Sequence, residues 1–161
     1  MDELHRERIG QLFLEMYDQL KAYACSSLEN ESLAEEAVQE TFYIACQKPE
    51  ALFDSPNPHG WLVITLKNTI RNIKSNRATA KRIVETYLLD QAKELAIHED
   101  SISLKIQYED VADTEEFKLL CEMAIQGRSH AEMAQTRGIS ISACKKRVQR
   151  AKEYLKKKLE L

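Results

Sequence analysis

Two small all-α domains are what this sequence predicts, and three observations carry the prediction. Four glycines and three prolines in 161 residues leave room for long uninterrupted helices. Apolar residues recur at three- and four-residue intervals through most of the chain. Charge is segregated: residues 1–54 hold four basic against twelve acidic residues, 55–84 six against none, 85–122 three against eleven, and 126–161 ten against three. The net charge of −3 conceals this alternation. Because phosphates respond to local charge, two basic blocks parted by an acidic one predict two nucleic-acid contacts joined by a spacer. The domains are expected at 1–98 and 113–161, with a flexible acidic linker at 99–112.

The first helix is expected from about Leu4 to Leu28, with Ile9, Leu12, Phe13, Met16, Tyr17, Leu20, Tyr23 and Ala24 on its inner face. Asn30 and Ser32 interrupt it. Ser32 and Glu35 then have the spacing of a capping box, in which each side chain bonds a free backbone N–H at a helix start. A second helix follows, with Ala34, Ala37, Val38, Thr41, Phe42 and Ala45 inward and Glu35, Glu36, Gln39, Glu40 and Tyr43 outward. That acidic face repels DNA and suits either solvent or a protein partner.

Pro49, Pro56 and Pro58 mark a loop from about Lys48 to Gly60, and Asn57 with Pro58 fits a cap followed by a first-turn proline. Trp61, Leu62, Ile64, Leu66, Ile70 and Ile73 supply the apolar surface of the next helix, with Trp61 read as a core anchor. Its polar side sets Asn68 and Asn72 one turn apart among Lys67, Arg71, Lys74, Ser75, Asn76 and Arg77. Amides able to bond base edges thus stand among groups that attract phosphate. Ile83, Val84, Tyr87, Leu88, Ala92, Leu95 and Ala96 continue the helical period to about His98, after which the acidic linker is read as poorly ordered.

Asp113 and Glu116 again have capping-box spacing, ahead of a helix through Phe117, Leu120, Cys121 and Ala124 that ends at Gly127. Ser129 with Glu132 opens another helix, Gly138 ends it in a left-handed turn, and Ser140 caps the last. Cys144, Val148, Ala151 and Leu155 form the inner stripe of that last helix. Ser142, Lys145, Lys146, Gln149 and Arg150 form its outer face, with Arg147 at the edge. Two short helices joined by a glycine turn, the second one basic, describe a helix-turn-helix with a recognition helix for the major groove. Arg137 stands where an aliphatic residue is usual before the turn glycine, so it must snorkel or the contact there is weakened.

Other classes find little support. No apolar run approaches membrane-spanning length and MDELHRERIG lacks a signal-peptide core, so a cytoplasmic protein without membrane insertion is expected. Cys25, Cys46, Cys121 and Cys144 are widely spaced, which predicts reduced thiols. His5, His59, His98 and His130 have no metal-ligand spacing, so neither a metal nor a cofactor is expected. The basic blocks carry no carboxylate cluster for nuclease chemistry, and no catalytic residue is assigned. A stand-alone helix-turn-helix regulator of duplex DNA is the alternative function.

With both basic blocks placed, the chain resembles a sigma factor of bacterial RNA polymerase, of the short two-domain extracytoplasmic-function type. AEEAVQETF, Ala34 to Phe42, and WLVITLKNTIRNIKSNR, Trp61 to Arg77, resemble region 2. HAEMAQTRGIS and the KKRVQRAKEYL that follows resemble region 4. The resemblance implies that Glu36, Gln39, Glu40 and Tyr43 dock on the clamp helices of the largest polymerase subunit. It implies that Asn68, with Arg71, Asn72, Lys74, Asn76 and Arg77, binds and melts the minus-10 element. Ser142, Lys145, Lys146, Arg147 and Arg150 would read the minus-35 element. Its implied partners are core RNA polymerase, including the flap of the second-largest subunit, promoter DNA and an anti-sigma factor. Cys46, Asn72 and Arg137 depart from the residues usual at their positions, and Asn72 bears on promoter choice.

Overall fold

Asp2 closes the first turn of the chain, accepting a hydrogen bond from the His5 backbone N–H at 2.8 Å, and starts helix α1, Glu3–Leu28. In the computed structural model the described residues are 1–96 and 111–159, and for 90–96 the helical backbone alone. Among them are seven helices and no strand, the all-α class that the periodicity predicts. The chain divides into two compact units, Met1–Ser75 and Asn76–Leu161.

In the first unit α1 ends at Glu29, which is left-handed at φ 53°, and α2 spans Glu31–Gln47. The α2 cap is Asn30, whose side chain accepts from the Leu33 N–H at 2.9 Å, which corrects the expected Ser32–Glu35 box. The left-handed residue reverses the chain within two positions, so Asn30 already holds the extended geometry of a cap and Ser32 falls inside the first turn. Helix α3, Pro49–Phe53, occupies part of the segment read as loop, with proline at its first position where no N–H is needed. Arg8 lies 4.0 Å from the Phe53 ring centroid and His5 stacks on the same ring, so α3 is clasped by the start of α1.

Helix α4, Pro58–Ala96, starts as expected at Asn57, whose side-chain oxygen accepts from the Gly60 N–H at 3.0 Å. A Cβ on Gly60 would lie 2.7 Å from the Asn57 amide nitrogen, so glycine is what lets this cap close. Leu20, Ala24, Leu33, Val38, Leu52, Leu62 and Leu66 form the centre of the first core, with Trp61 packed half-buried at its margin. Each fully buried leucine there contributes about 1.5–3 kcal/mol. Ile64 was expected inside and is instead 62% exposed, while Phe13 and Tyr23 also reach the surface.

The second unit begins within α4. Ala80, Ile83, Val84 and Tyr87 pack with α5, Glu115–Ala124, α6, His130–Arg137, and α7, Ile141–Lys158. These four residues lie in the span that the sequence reading gives to the first domain. The Tyr87 ring is 4.5 Å from that of Phe117, and Leu120, Met133, Cys144, Val148, Ala151 and Leu155 complete the core. The cap of α5 is Thr114, accepting from the Phe117 N–H at 3.3 Å, rather than Asp113. Thr114 has the extended backbone a cap requires, and its hydroxyl also bonds the Val111 carbonyl at 2.6 Å. Most of the expected linker, 99–110, lies outside the described residues, while Val111 is buried in the second core.

Ser129 and Glu132 form the expected reciprocal box, with bonds of 3.1 and 3.2 Å. Gly138 at φ 64° ends α6, and Ser140 caps α7 by accepting from the Ala143 N–H at 3.1 Å. Arg137 does not snorkel. Its guanidinium donates to both carboxylate oxygens of Glu122 on α5, at 2.9 and 3.1 Å, with the two side chains 17% and 22% exposed. A bidentate ion pair thus replaces an apolar contact between α6 and α5. It holds the Glu122 carboxyl below its ordinary pKa and raises that of Arg137.

Candidate nucleic-acid interface

Asn68, Arg71, Asn72, Lys74 and Asn76 are all exposed, and Arg77 is half-buried. They occupy two turns of α4, about 12 Å from Asn68 to Asn76 at the helical rise. The α4 sequence holds no acidic residue before Glu85, so nothing on its own strand of helix offsets the positive field there. Asn68 and Arg71 are already paired: the guanidinium donates to the Asn68 side-chain oxygen at 3.4 Å. An amide whose oxygen accepts from arginine still has two N–H donors to offer to acceptors on a base edge or phosphate. The exposed Ile64 lies one turn before Asn68 on the same face and adds an apolar surface that periodicity had assigned to the core.

Behind this face the helix carries two back-bonded threonines. Thr65 Oγ1 donates to the Trp61 carbonyl at 2.8 Å and Thr69 Oγ1 to the Thr65 carbonyl at 3.0 Å. Buried hydroxyls are satisfied this way without leaving the helix, and Thr41 does the same on α2 with the Ala37 carbonyl at 2.8 Å.

The second basic surface is the outer side of α7. Ser142, Lys146, Arg147 and Arg150 are exposed, and Lys145 is half-buried. Gln149 donates to Glu153 at 3.1 Å, which places a carboxylate at the far end of the face. Arg147 and Arg150 also border a cleft of about 410 Å³ with Glu115, Glu116, Leu119, Ala151 and Tyr154. The two α5 carboxylates temper the cation density on that edge.

The α2 set separates. Gln39 and Tyr43 are exposed, the latter by 59%, and Glu40 is half-buried. Glu36, expected on the outer face, is 6% exposed. It follows Glu35 by one position and precedes Ala37 and Val38, and the 100° step between helical neighbours carries it onto the flank of the buried stripe. Glu35 itself is bound by Lys21 of α1 at 2.8 Å, and the same ammonium reaches Glu31 at 3.1 Å. These two carboxylates hold Lys21 protonated well above the usual lysine range, and sequence spacing gave no sign of the pairing. The exposed acidic patch is therefore smaller than the sequence suggested.

Cys25, Cys46, Cys121 and Cys144 are free thiols, and burial raises the pKa of Cys121. Among the described residues no cluster of histidine, cysteine and acidic side chains has the arrangement of a metal site. No described helix is long and apolar enough to cross a membrane. No curated protein matches the chain by sequence. The family model for Sigma-70 region 2 matches residues 12–79, from the third turn of α1 to the middle of α4, a span that includes the basic face of α4.

Proposed function

We propose that this chain is a sigma factor of the extracytoplasmic-function type. It binds core RNA polymerase, recognises minus-10 and minus-35 promoter elements, and nucleates strand opening. The observation that supports this best is the Sigma-70 region 2 match over residues 12–79, which spans the acid-free face carrying Asn68, Arg71 and Asn72. A base extruded from the nontemplate strand would enter the reach of Asn68, whose NH₂ donates to a base acceptor. Capturing it offsets part of an unstacking cost of about a few kcal/mol, and strand opening then needs no chemistry from the protein. Arg71, Asn72, Lys74, Asn76 and Arg77 hold the adjoining backbone.

On α2, Gln39, Tyr43 and the edge of Glu40 dock on the clamp helices of the largest subunit, and the buried Glu36 supports that turn from within. On α7, Ser142, Lys145, Lys146, Arg147 and Arg150 divide bases and phosphates of the minus-35 element between them, with α6 and α7 acting as a helix-turn-helix. The flap of the second-largest subunit is the expected partner of this end of the chain, and an anti-sigma factor the expected antagonist. The protein is non-catalytic in this reading and works in the cytoplasm.

Gel-shift assays with and without bacterial core polymerase test the proposal. Specific duplex binding that requires core polymerase is the expected result. Strong specific binding by the free chain, unchanged by polymerase, would support the stand-alone regulator instead.

A further inference from the structure

Tyr23 belongs by periodicity to the inner face of α1 and stands instead 45% exposed. The ammonium of Lys67 on α4 lies 5.8 Å from the centroid of its ring, and Lys67 is itself exposed. Glu15 of α1 meets His59 of α4 at 3.3 Å, so both contacts join residues 44 positions apart. An equal offset means that the two helices run side by side in the same direction. At that offset Ser27 of α1 draws level with Arg71. The exposed strip of α4 thus continues across its edge onto α1, and the aromatic ring is part of that continuation.

A lone tyrosine on a surface needs no ligand to explain it. The surroundings of this one do select a ligand. Ile64, 62% exposed, sits one turn before Lys67 and Asn68, and Lys67 sits one turn before Arg71. Within a turn of Tyr23 on its own side of α1 stand Gln19, Ser26 and Ser27, none of them charged, and α4 carries no carboxylate before Glu85. An aromatic face and an aliphatic side chain, bordered by cations and amides and free of local acid, match a strand whose bases are uncovered. The ring takes a base by stacking, and the ammonium and guanidinium take the phosphates beside it. Duplex DNA does not fit that description, because neighbouring pairs already cover both faces of each base.

Resting on the sigma-factor reading, we propose that Tyr23 is a stacking platform for an unpaired base of single-stranded DNA, which in an opened promoter is a base of the nontemplate strand. Lys67 and Arg71 hold the phosphates of that nucleotide and its neighbour. The lysine stem is flexible, so a base that displaces the ammonium from the ring sends it to the adjoining phosphate.

Fluorescence anisotropy of the full-length chain with two labelled strands of equal length tests the platform: oligothymidylate, and the same sugar-phosphate repeat without bases. Tyr23→Ala should weaken binding to oligothymidylate at least about fivefold and leave binding to the abasic strand unchanged. Tyr23→Phe, which keeps the ring, should match the wild type on both. Lys67→Gln should lower the salt slope by about 0.7 on both strands, as loss of one phosphate contact does for a single strand. An unchanged slope removes Lys67 from the phosphate. Equal loss on the two strands, no loss on oligothymidylate, or a phenylalanine variant as weak as the alanine one overturns the platform. A wild-type chain that binds the two strands alike, or neither, overturns it as well. Core polymerase takes no part in this experiment, so the two readings fail separately. A chain that holds the base through Tyr23 and does not bind core polymerase keeps the platform and loses the sigma-factor role.

Discussion

Breaking the Arg137–Glu122 pair one partner at a time should produce unequal losses that a double substitution largely restores. The pair makes two charge-assisted bonds of 2.9 and 3.1 Å, and both side chains are more than three-quarters enclosed. Arg137→Ala removes both bonds and strands a carboxylate between α5 and α6. Complete burial would make this costlier, but the remaining access to water limits the loss to about 2–3 kcal/mol. Glu122→Ala should cost less, about 1–2 kcal/mol, because the arginine stem is long enough to carry its charge outward. With leucine at both positions no charge is stranded, and stability should return to within about 1 kcal/mol of the wild type.

Urea unfolding followed by circular dichroism measures the helices of both units. Trp61, the single tryptophan, reports on the first unit by fluorescence. Losses should appear in the dichroism of the second unit with the Trp61 transition in place. If the double-leucine protein lost as much as the two single variants together, the pair would not be a compensated unit and the reasoning would fail. Acid gives an independent check. Glu122 has its pKa lowered from the ordinary 4.5 by Arg137, so the unfolded chain binds the proton more readily. The contribution of the pair is complete above pH 4.5 and fades as pH falls from there through the lower folded value. The double-leucine protein should lack that fading.

Three further outcomes follow from the interfaces. Asn68→Ala should reduce open-complex formation on a promoter more than closed-complex binding, and permanganate reactivity of unpaired thymines distinguishes the two; equal losses would remove Asn68 from the base pocket. Tyr43→Ala should weaken the affinity for core polymerase by about 1–2 kcal/mol, as expected for an exposed aromatic anchor, with helicity unchanged. Arg150→Ala should weaken minus-35-dependent binding of the holoenzyme by about 1–3 kcal/mol if it bonds a base, or lower the salt dependence by about one ion uniformly across sequences if it holds a phosphate.

Local signals in the sequence were read well where one side chain decides the geometry. The Ser129–Glu132 box, Gly138, the Ser140 cap and the Asn57–Pro58 start each depend on residues within four positions, and all stand as expected. Asn30 and Thr114 displaced the expected caps because a neighbouring cap-forming residue competes at each helix start, and backbone geometry outside the helix chooses between them. Features that join distant segments were invisible. Arg137 and Glu122 are fifteen residues apart, Lys152 and Asn76, whose side-chain oxygen it bonds, seventy-six, and no periodicity links either pair. Within its own helix Arg137 looks like an imperfect apolar position, and Lys152 looks like one more cation of a basic helix. The α2 and α4 stripes were legible at their centres and missed at their borders, where Glu36 turns inward and Ile64 and Leu88 turn outward.

Sequencing the 5′ ends of transcripts made by bacterial core polymerase, with and without the purified chain, tests the central claim most directly. The account predicts that the chain binds the core and creates a discrete set of start sites sharing two upstream elements, lost in the Asn68→Ala protein. The same start sites with and without the chain, or no association with the core, would contradict it.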